Sequence, residues 1–207
     1  MVKLYVLGVG PGSPDYLTPA VIKAARRCDL LVGGSRNLAL FSHLGLESIE
    51  IKGKLQPVFD QVQEVMTERQ VGFLVSGDAG LYSIMPLIKR EFGSQVLEVY
   101  PGISAAQYMF ARIGMSWQDA RFISVHGRKI DQLVPVVQDS AVVAVFTDKL
   151  NSPALICRTL LESGLQGRLV YVGENLSYGD EIIRAGRPED FLGLDSSPIN
   201  MVVIADE

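Results

Sequence analysis

The chain has 207 residues, 48% of them hydrophobic and 20% charged, with a formal net charge of −4. That supplies apolar material for one or two buried cores and excludes a disordered chain. No block of Lys and Arg provides the footprint that phosphate neutralisation needs, and no apolar run reaches the about 18 residues of a membrane span, so neither nucleic acid nor membrane is an expected partner.

Met1 to Leu7 is apolar but meets Gly8 too early for a secretory signal, which points to a reduced, cytoplasmic setting. The two cysteines, Cys28 and Cys157, form no Cys-x-x-Cys pair, and with only His43 and His126 beside them no zinc site is expected. Val2–Val9 reads as a buried strand. Thr18-Pro19 then opens a helix, since Thr is a favoured cap and Pro suits the first helical position; Val21, Ile22, Ala25 and Cys28 give it an apolar stripe. Leu30–Val32 is a second strand, ended by Gly33-Gly34, and Ser48–Ile51 a third. Between them, His43 sits in a helix tail before Gly45, where a cation suits the helix dipole. Val58, Val62, Val65 and Met66 predict a helix over 57–69. Val71–Val75 is a strand, followed by Ser76-Gly77-Asp78-Ala79-Gly80 and a helix from about Leu81 to Glu91. Val96–Val99 is the next strand, and Pro101-Gly102-Ile103-Ser104 leads into another helix.

The pattern changes near Ile113-Gly114-Met115-Ser116-Trp117, which predicts a boundary between a domain over 1–113 with a mainly parallel sheet and a domain over 114–207 with a mixed sheet. The second half carries strands near Arg121–Val125, Ala141–Phe146, Arg168–Gly173, Glu181–Ala185 and Ile199–Ala205. Ser152-Pro153 opens a helix that runs to about Ser163. Repeated strand–loop–helix units make an α/β fold. In such sheets ligands bind beyond the carboxyl ends of the strands, which singles out three loops: Gly8–Gly12, Ser76–Gly80 and Pro101–Ser104.

Gly8-Val9-Gly10-Pro11-Gly12 is either a plain tight turn or a wall against which a ligand lies close to backbone. A dinucleotide cradle fits poorly. The helix is delayed to Pro19, no acid ends the second strand, and Pro11 removes a donor that a pyrophosphate would use. Asp78 caps the helix that follows, binds a ribose or amino group, or does both. Ser104 reads first as a helix cap, with Ala105 and Ala106 leaving room for a bulky ligand or for close helix packing. His126-Gly127-Arg128, with Lys129, is a small positive cluster at a strand end, suited to carboxylates. Glu174 to Glu181 is a polar turn whose plain reading is a solvated hairpin loop. Tyr82, Tyr108 and Tyr178 are either packing residues or aromatic surfaces for a ligand. Neither a Gly-x-Ser-x-Gly elbow nor a phosphate-binding P-loop occurs in the chain.

Taken in order, Gly8-Val9-Gly10-Pro11-Gly12-Ser13-Pro14-Asp15-Tyr16-Leu17-Thr18, Ser76-Gly77-Asp78 and Pro101-Gly102-Ile103-Ser104-Ala105-Ala106 resemble the tetrapyrrole (corrin/porphyrin) methylases, over essentially the whole chain. Within that family, Val32-Gly33-Gly34-Ser35-Arg36, His126-Gly127-Arg128, Glu174-Asn175-Leu176-Ser177 and Gly179-Asp180-Glu181 are similar to the C(5)-methyltransferases that act on precorrin-6Y or cobalt-precorrin-7 in cobalamin biosynthesis. The resemblance implies two α/β domains with a cleft between them, a homodimer, and S-adenosylmethionine as methyl donor. It implies donor contacts at Pro11, Ser76, Gly77, Asp78, Leu81, Ser104, Ala105, Thr147 and Leu176. It implies contacts to a small-molecule tetrapyrrole at Gly10, Tyr82, His126 and Arg128, with Arg36 and Arg112 as further candidates, and no metal site. Many members have Pro after the Gly-Asp pair where this chain has Ala79. A chain ending at Glu207 would leave C(15) methylation and decarboxylation to a separate enzyme, as in the early-cobalt pathway. Uroporphyrinogen, diphthine and ribosomal RNA ribose methylases of the same superfamily, and a non-catalytic binding module, stay open as alternatives.

Overall fold

β1 (Leu4–Gly8), β2 (Leu30–Gly33) and β4 (Val71–Val75) are buried along their whole length, as befits strands covered on both faces of a parallel sheet. They are the middle of the first of two sheets in this computed structural model, which describes residues 4–93 and 97–206. β3 (Glu47–Glu50), largely exposed, forms one edge and β5 (Leu97–Tyr100) the other, in the order β3-β2-β4-β1-β5, all parallel. Val2 and Val96, which the sequence places in strands, lie outside the described residues.

Parallel pairing requires crossovers, and the helices supply them. α1 (Pro19–Ala25) starts where expected, with Thr18 Oγ1 accepting the Val21 N–H at 3.3 Å. It packs Val21, Ala24 and Ala25 on one face of the sheet, together with Cys28 just beyond it and Phe41 beyond α2 (Ser35–Ala39). His43 lies in a 3-10 turn, not an α-helix tail, and Gly45 caps it in the left-handed region. α3 (Gln56–Val65) and α4 (Met85–Phe92) cover the opposite face, where Phe59 meets Phe73 and Phe92 edge-on at 6.1 and 5.3 Å. The connection leaving β1 and the connection leaving its neighbour β4 therefore pass over opposite faces, the arrangement that opens a crevice at strand ends.

The second sheet runs β6-β7-β10-β8-β9, from β6 (Arg121–Ser124), β7 (Val142–Phe146), β8 (Leu169–Glu174), β9 (Ile182–Gly186) and β10 (Asn200–Ala205). β6 and β7 are parallel, and every other pairing is antiparallel. The carboxyl ends of β6, β7 and β8 and the start of β10 thus share one edge. α6 (Leu133–Gln138) and α7 (Pro153–Glu162) cover one face. α6 was not legible in the sequence, being six residues long with Pro135 inside it.

The chain divides into two compact units, 1–104 and 105–207. The division falls before α5 (Ala105–Arg112), earlier than the boundary expected at Ile113. The reason is packing: α5 sets Phe110 against Phe122 at 6.3 Å and Met109 over Gly173, both partners in the second sheet. Both cysteines are buried and unpaired, and burial pushes their thiols up to about 12. No described helix is long and apolar enough to cross a membrane.

Candidate active site

The glycine loops of the first unit meet backbone to backbone. Beyond β1 and β4 the pairing continues past the strands: Val9 N–H donates to Val75 O at 2.9 Å, and Gly10 and Gly77 exchange two hydrogen bonds of 3.1 and 2.7 Å. Gly10 has φ +80, and a Cβ there would stand 3.0 Å from Tyr16 O. Gly102, beyond β5, lies closer still. A Cβ on it would fall 2.2 Å from Gly77 O and 2.5 Å from Gly8 O. Gly8 and Gly102, far apart in sequence, thus require glycine for one reason, that neighbouring strand ends occupy the space side chains would need, whereas Gly10 requires it for its positive φ.

Asp78 ties the junction. Its Oδ1 accepts the Gly80 N–H at 2.8 Å and its Oδ2 the Gly102 N–H at 3.0 Å. This corrects the expectation that Asp78 caps the next helix. Residues 79–84 form a turn, and α4 begins only at Met85, whose N–H is accepted by Ser83 Oγ at 3.1 Å. Ser76 Oγ donates to Asn37 Oδ1 at 3.2 Å, and Asn37 Nδ2 donates to Leu74 O, so α2 braces the same strand end. Tyr82 is half exposed with φ +50, a region costly for an aromatic residue and one that clusters at functional sites. Gly10, Pro11, Ser76, Gly77, Asp78, Leu81, Tyr82 and Ser104 all belong to the loops that leave this edge of the sheet.

In the second unit, His126, Arg128, Thr147 and Leu176 follow the strand ends that share one edge. The His126 ring is oriented by Nδ1, 3.0 Å from Thr147 O. A carbonyl only accepts, so Nδ1 carries the proton and Nε2 is left for other partners. Asp148 and Asn151, which sequence reasoning did not single out, lock the turn. Asp148 accepts the N–H groups of Gly127, Leu150 and Asn151 at 2.6, 2.8 and 2.7 Å, while Asn151 Nδ2 donates to Val125 O at 2.7 Å and Arg128 O at 3.1 Å. Partial desolvation pushes the Asp148 carboxyl upward, but those backbone donors and the nearby His126 outweigh it and hold it below the ordinary range. Thr147 is buried and its hydroxyl faces the backbone and side-chain oxygens of Asn200.

The turn after β8 is the hairpin loop of the plain reading, since β8 and β9 pair antiparallel, but it is held by its own hydrogen bonds and only partly solvated. Asn175 and Ser177 have φ +47 and +69, and Leu176 between them is buried. Glu174 is buried and pairs with Arg184, and its Oε1 accepts the Ser197 N–H at 2.6 Å. Arg112, a candidate for substrate carboxylates, is engaged within the unit, its Nε donating to Glu181 Oε1 at 2.8 Å. Arg36 stands on α2. Among the described residues no group of three His, Cys, Asp or Glu could hold a metal ion.

Comparisons with known proteins agree with this geometry. The family model of the Tetrapyrrole (Corrin/Porphyrin) Methylases matches residues 3–191. The chain is 33% identical to the cobalt-precorrin-7 C(5)-methyltransferase of Salmonella typhimurium, over 99% of each chain. It is 28% identical to the precorrin-6Y C(5,15)-methyltransferase [decarboxylating] of a Sinorhizobium species, over 99% of this chain and 50% of that one. Among solved structures, the uroporphyrin-III C-methyltransferase of Thermus thermophilus complexed with S-adenyl homocysteine superposes with a TM-score of 0.81 at 16% identity, covering 98% of this chain and 92% of that one.

Proposed function

Because the chain belongs to the tetrapyrrole (corrin/porphyrin) methylases, we propose that it transfers a methyl group from S-adenosylmethionine to C(5) of cobalt-precorrin-7 in cobalamin biosynthesis. The observation that carries the substrate is the 33% identity over 99% of both chains to a protein with that activity. The same reading makes it a cytoplasmic homodimer with the tetrapyrrole as its small-molecule partner, and both points rest on the family.

Features of the first unit fit an S-adenosyl group. The close backbone contact of Gly8, Gly102 and Gly77 O holds the loops that carry Pro11, Asp78 and Ser104 beside one another at one sheet edge, where a ligand can meet all three. Asp78 is the one charged side chain among the proposed donor contacts Pro11, Ser76, Gly77, Asp78, Leu81, Ser104, Ala105, Thr147 and Leu176. Its sign suits a cationic sulfonium, and each of its oxygens keeps a lone pair for ribose hydroxyls. When bound, S-adenosylmethionine supplies an electrophilic methyl group.

The chain's own work is then mainly positioning, which in favourable cases lowers a barrier by roughly 7–11 kcal/mol. Pro11 and the glycines set the backbone wall, and Asp78 fixes the ribose end. Gly10 and Tyr82 meet the macrocycle. Arg128 binds a peripheral carboxylate, and His126, with Nδ1–H committed to Thr147, offers Nε2. The conjugated macrocycle is nucleophilic by itself, so no residue is assigned as a base before attack.

His126→Ala combined with Arg128→Ala is expected to raise the KM for the tetrapyrrole about tenfold or more, close to 1.4 kcal/mol, with S-adenosylmethionine affinity unchanged. An unchanged KM removes that cluster from the substrate site. The reading as a whole is tested by incubating the protein with S-adenosylmethionine and cobalt-precorrin-7. A product heavier by one methyl group, formed with one S-adenosylhomocysteine, is expected. No methylated product would overturn it.

A further inference from the structure

Glu181 joins two elements of the second unit. Its Oε2 accepts the Ser177 N–H at 2.6 Å, its Oε1 accepts from Arg112 Nε at 2.8 Å, and the Tyr108 hydroxyl also donates to it. Its side chain is only 13% exposed. Tyr108 and Arg112 stand one turn apart on α5 and so face the same way. On the other side of the carboxylate is the segment 175–177, with two non-glycine residues in the left-handed region. Asn tolerates that region, but for Ser177 such backbone persists only where its surroundings over-determine it.

The two ends of that segment are held separately. Asn175 is fixed by the residues just before β10: its N–H donates to Ile199 O at 2.9 Å, and its Oδ1 accepts from Ser197 Oγ at 2.7 Å. Ser177 is fixed by Glu181. Leu176, between them, packs over Gly173, where a Cβ would fall 2.8 Å from Leu176 Cδ2 and 2.7 Å from Met109 Sδ of α5. One carboxylate therefore couples Leu176 to the helix that Ala105 begins, and both residues are proposed donor contacts. Desolvation raises the Glu181 carboxyl, but the Tyr108 hydroxyl, the Ser177 N–H and Arg112 outweigh it and hold it below the ordinary carboxylate range.

We propose that Glu181 is a positioning residue for the methyl donor: it holds the 175–177 segment in its left-handed form and registers that segment against α5. The inference rests on the functional reading above, and its test separates the two. Affinity for S-adenosylhomocysteine is measured by calorimetry in the whole protein, with melting temperature and both KM values followed in parallel. Glu181→Ala is expected to weaken S-adenosylhomocysteine binding about tenfold or more while the tetrapyrrole KM moves less than about threefold. Adding Ser177→Gly is expected to recover about threefold or more of that loss, because glycine takes a positive φ without a Cβ penalty. A uniformly destabilising substitution would not be rescued at that position.

Should Glu181→Ala fail to fold, Glu181→Gln with and without Ser177→Gly carries the same comparison. Unchanged S-adenosylhomocysteine affinity, or a loss that Ser177→Gly does not restore, overturns the proposal. If the wild-type protein neither binds S-adenosylhomocysteine nor transfers a methyl group, the functional reading itself has failed.

Discussion

Gly102→Ala is expected to cost the first unit about 3 kcal/mol or more and to abolish donor binding with it. The added methyl would lie 2.2 Å from Gly77 O, 2.5 Å from Gly8 O and 2.6 Å from Gly8 C. All three are backbone atoms at the ends of hydrogen-bonded parallel strands, so no flexible side chain can give way. Relief would require separating β5 from β1 or breaking the Gly10–Gly77 bridge. Gly34→Ala is the matched control. Gly34 caps α2 with φ −66, and nothing stands within 4 Å of its Cβ position, so a change of no more than about 1 kcal/mol is expected, the cost of an alanine at a helix cap. Because the chain has two units, hydrogen exchange at the β1 amides is the better readout than a single melting curve. Equal protection in the two variants would contradict the junction described here.

Asp78→Ala is expected to lower the affinity for S-adenosylhomocysteine about 100-fold, or roughly 2.7 kcal/mol. Two charge-assisted hydrogen bonds to backbone go with the side chain, each worth on the order of 1.5–3 kcal/mol when broken, along with the proposed ribose contact. Asp78→Asn should fall between wild type and Asp78→Ala, since the amide keeps one acceptor oxygen. Calorimetry at fixed pH measures both. Affinity within twofold of wild type in Asp78→Ala would show that Asp78 only braces the loop.

Strand order could not be read from the sequence, yet the strands themselves could. β4 matches its predicted span residue for residue, because a short apolar run bounded by Gln70 and Ser76 has few other forms. α1 and α7 start at Thr18-Pro19 and Ser152-Pro153 because cap and proline act locally. What failed was non-local. Asp78 looks like a helix cap from its neighbours, but its partner Gly102 is 24 residues away and reaches it only once β4, β1 and β5 are aligned. The left-handed φ of Asn175 and Ser177 carries no glycine signal and is held instead by Glu181 and by Ser197 and Ile199 just before β10. Asp148 and Asn151 have no motif of their own. Their role appears when β6 and β7 pair and bring residue 127 beside residue 148. The boundary at Ile113 followed a change of pattern, whereas the division follows α5, whose Met109 and Phe110 pack on the second sheet.

Methyl transfer to a single ring carbon is read from the carbon NMR spectrum of the product formed from cobalt-precorrin-7 and S-adenosylmethionine labelled in its methyl group. One labelled methyl bonded to C(5) is the predicted result. A label on any other atom, or none in the tetrapyrrole, would contradict it.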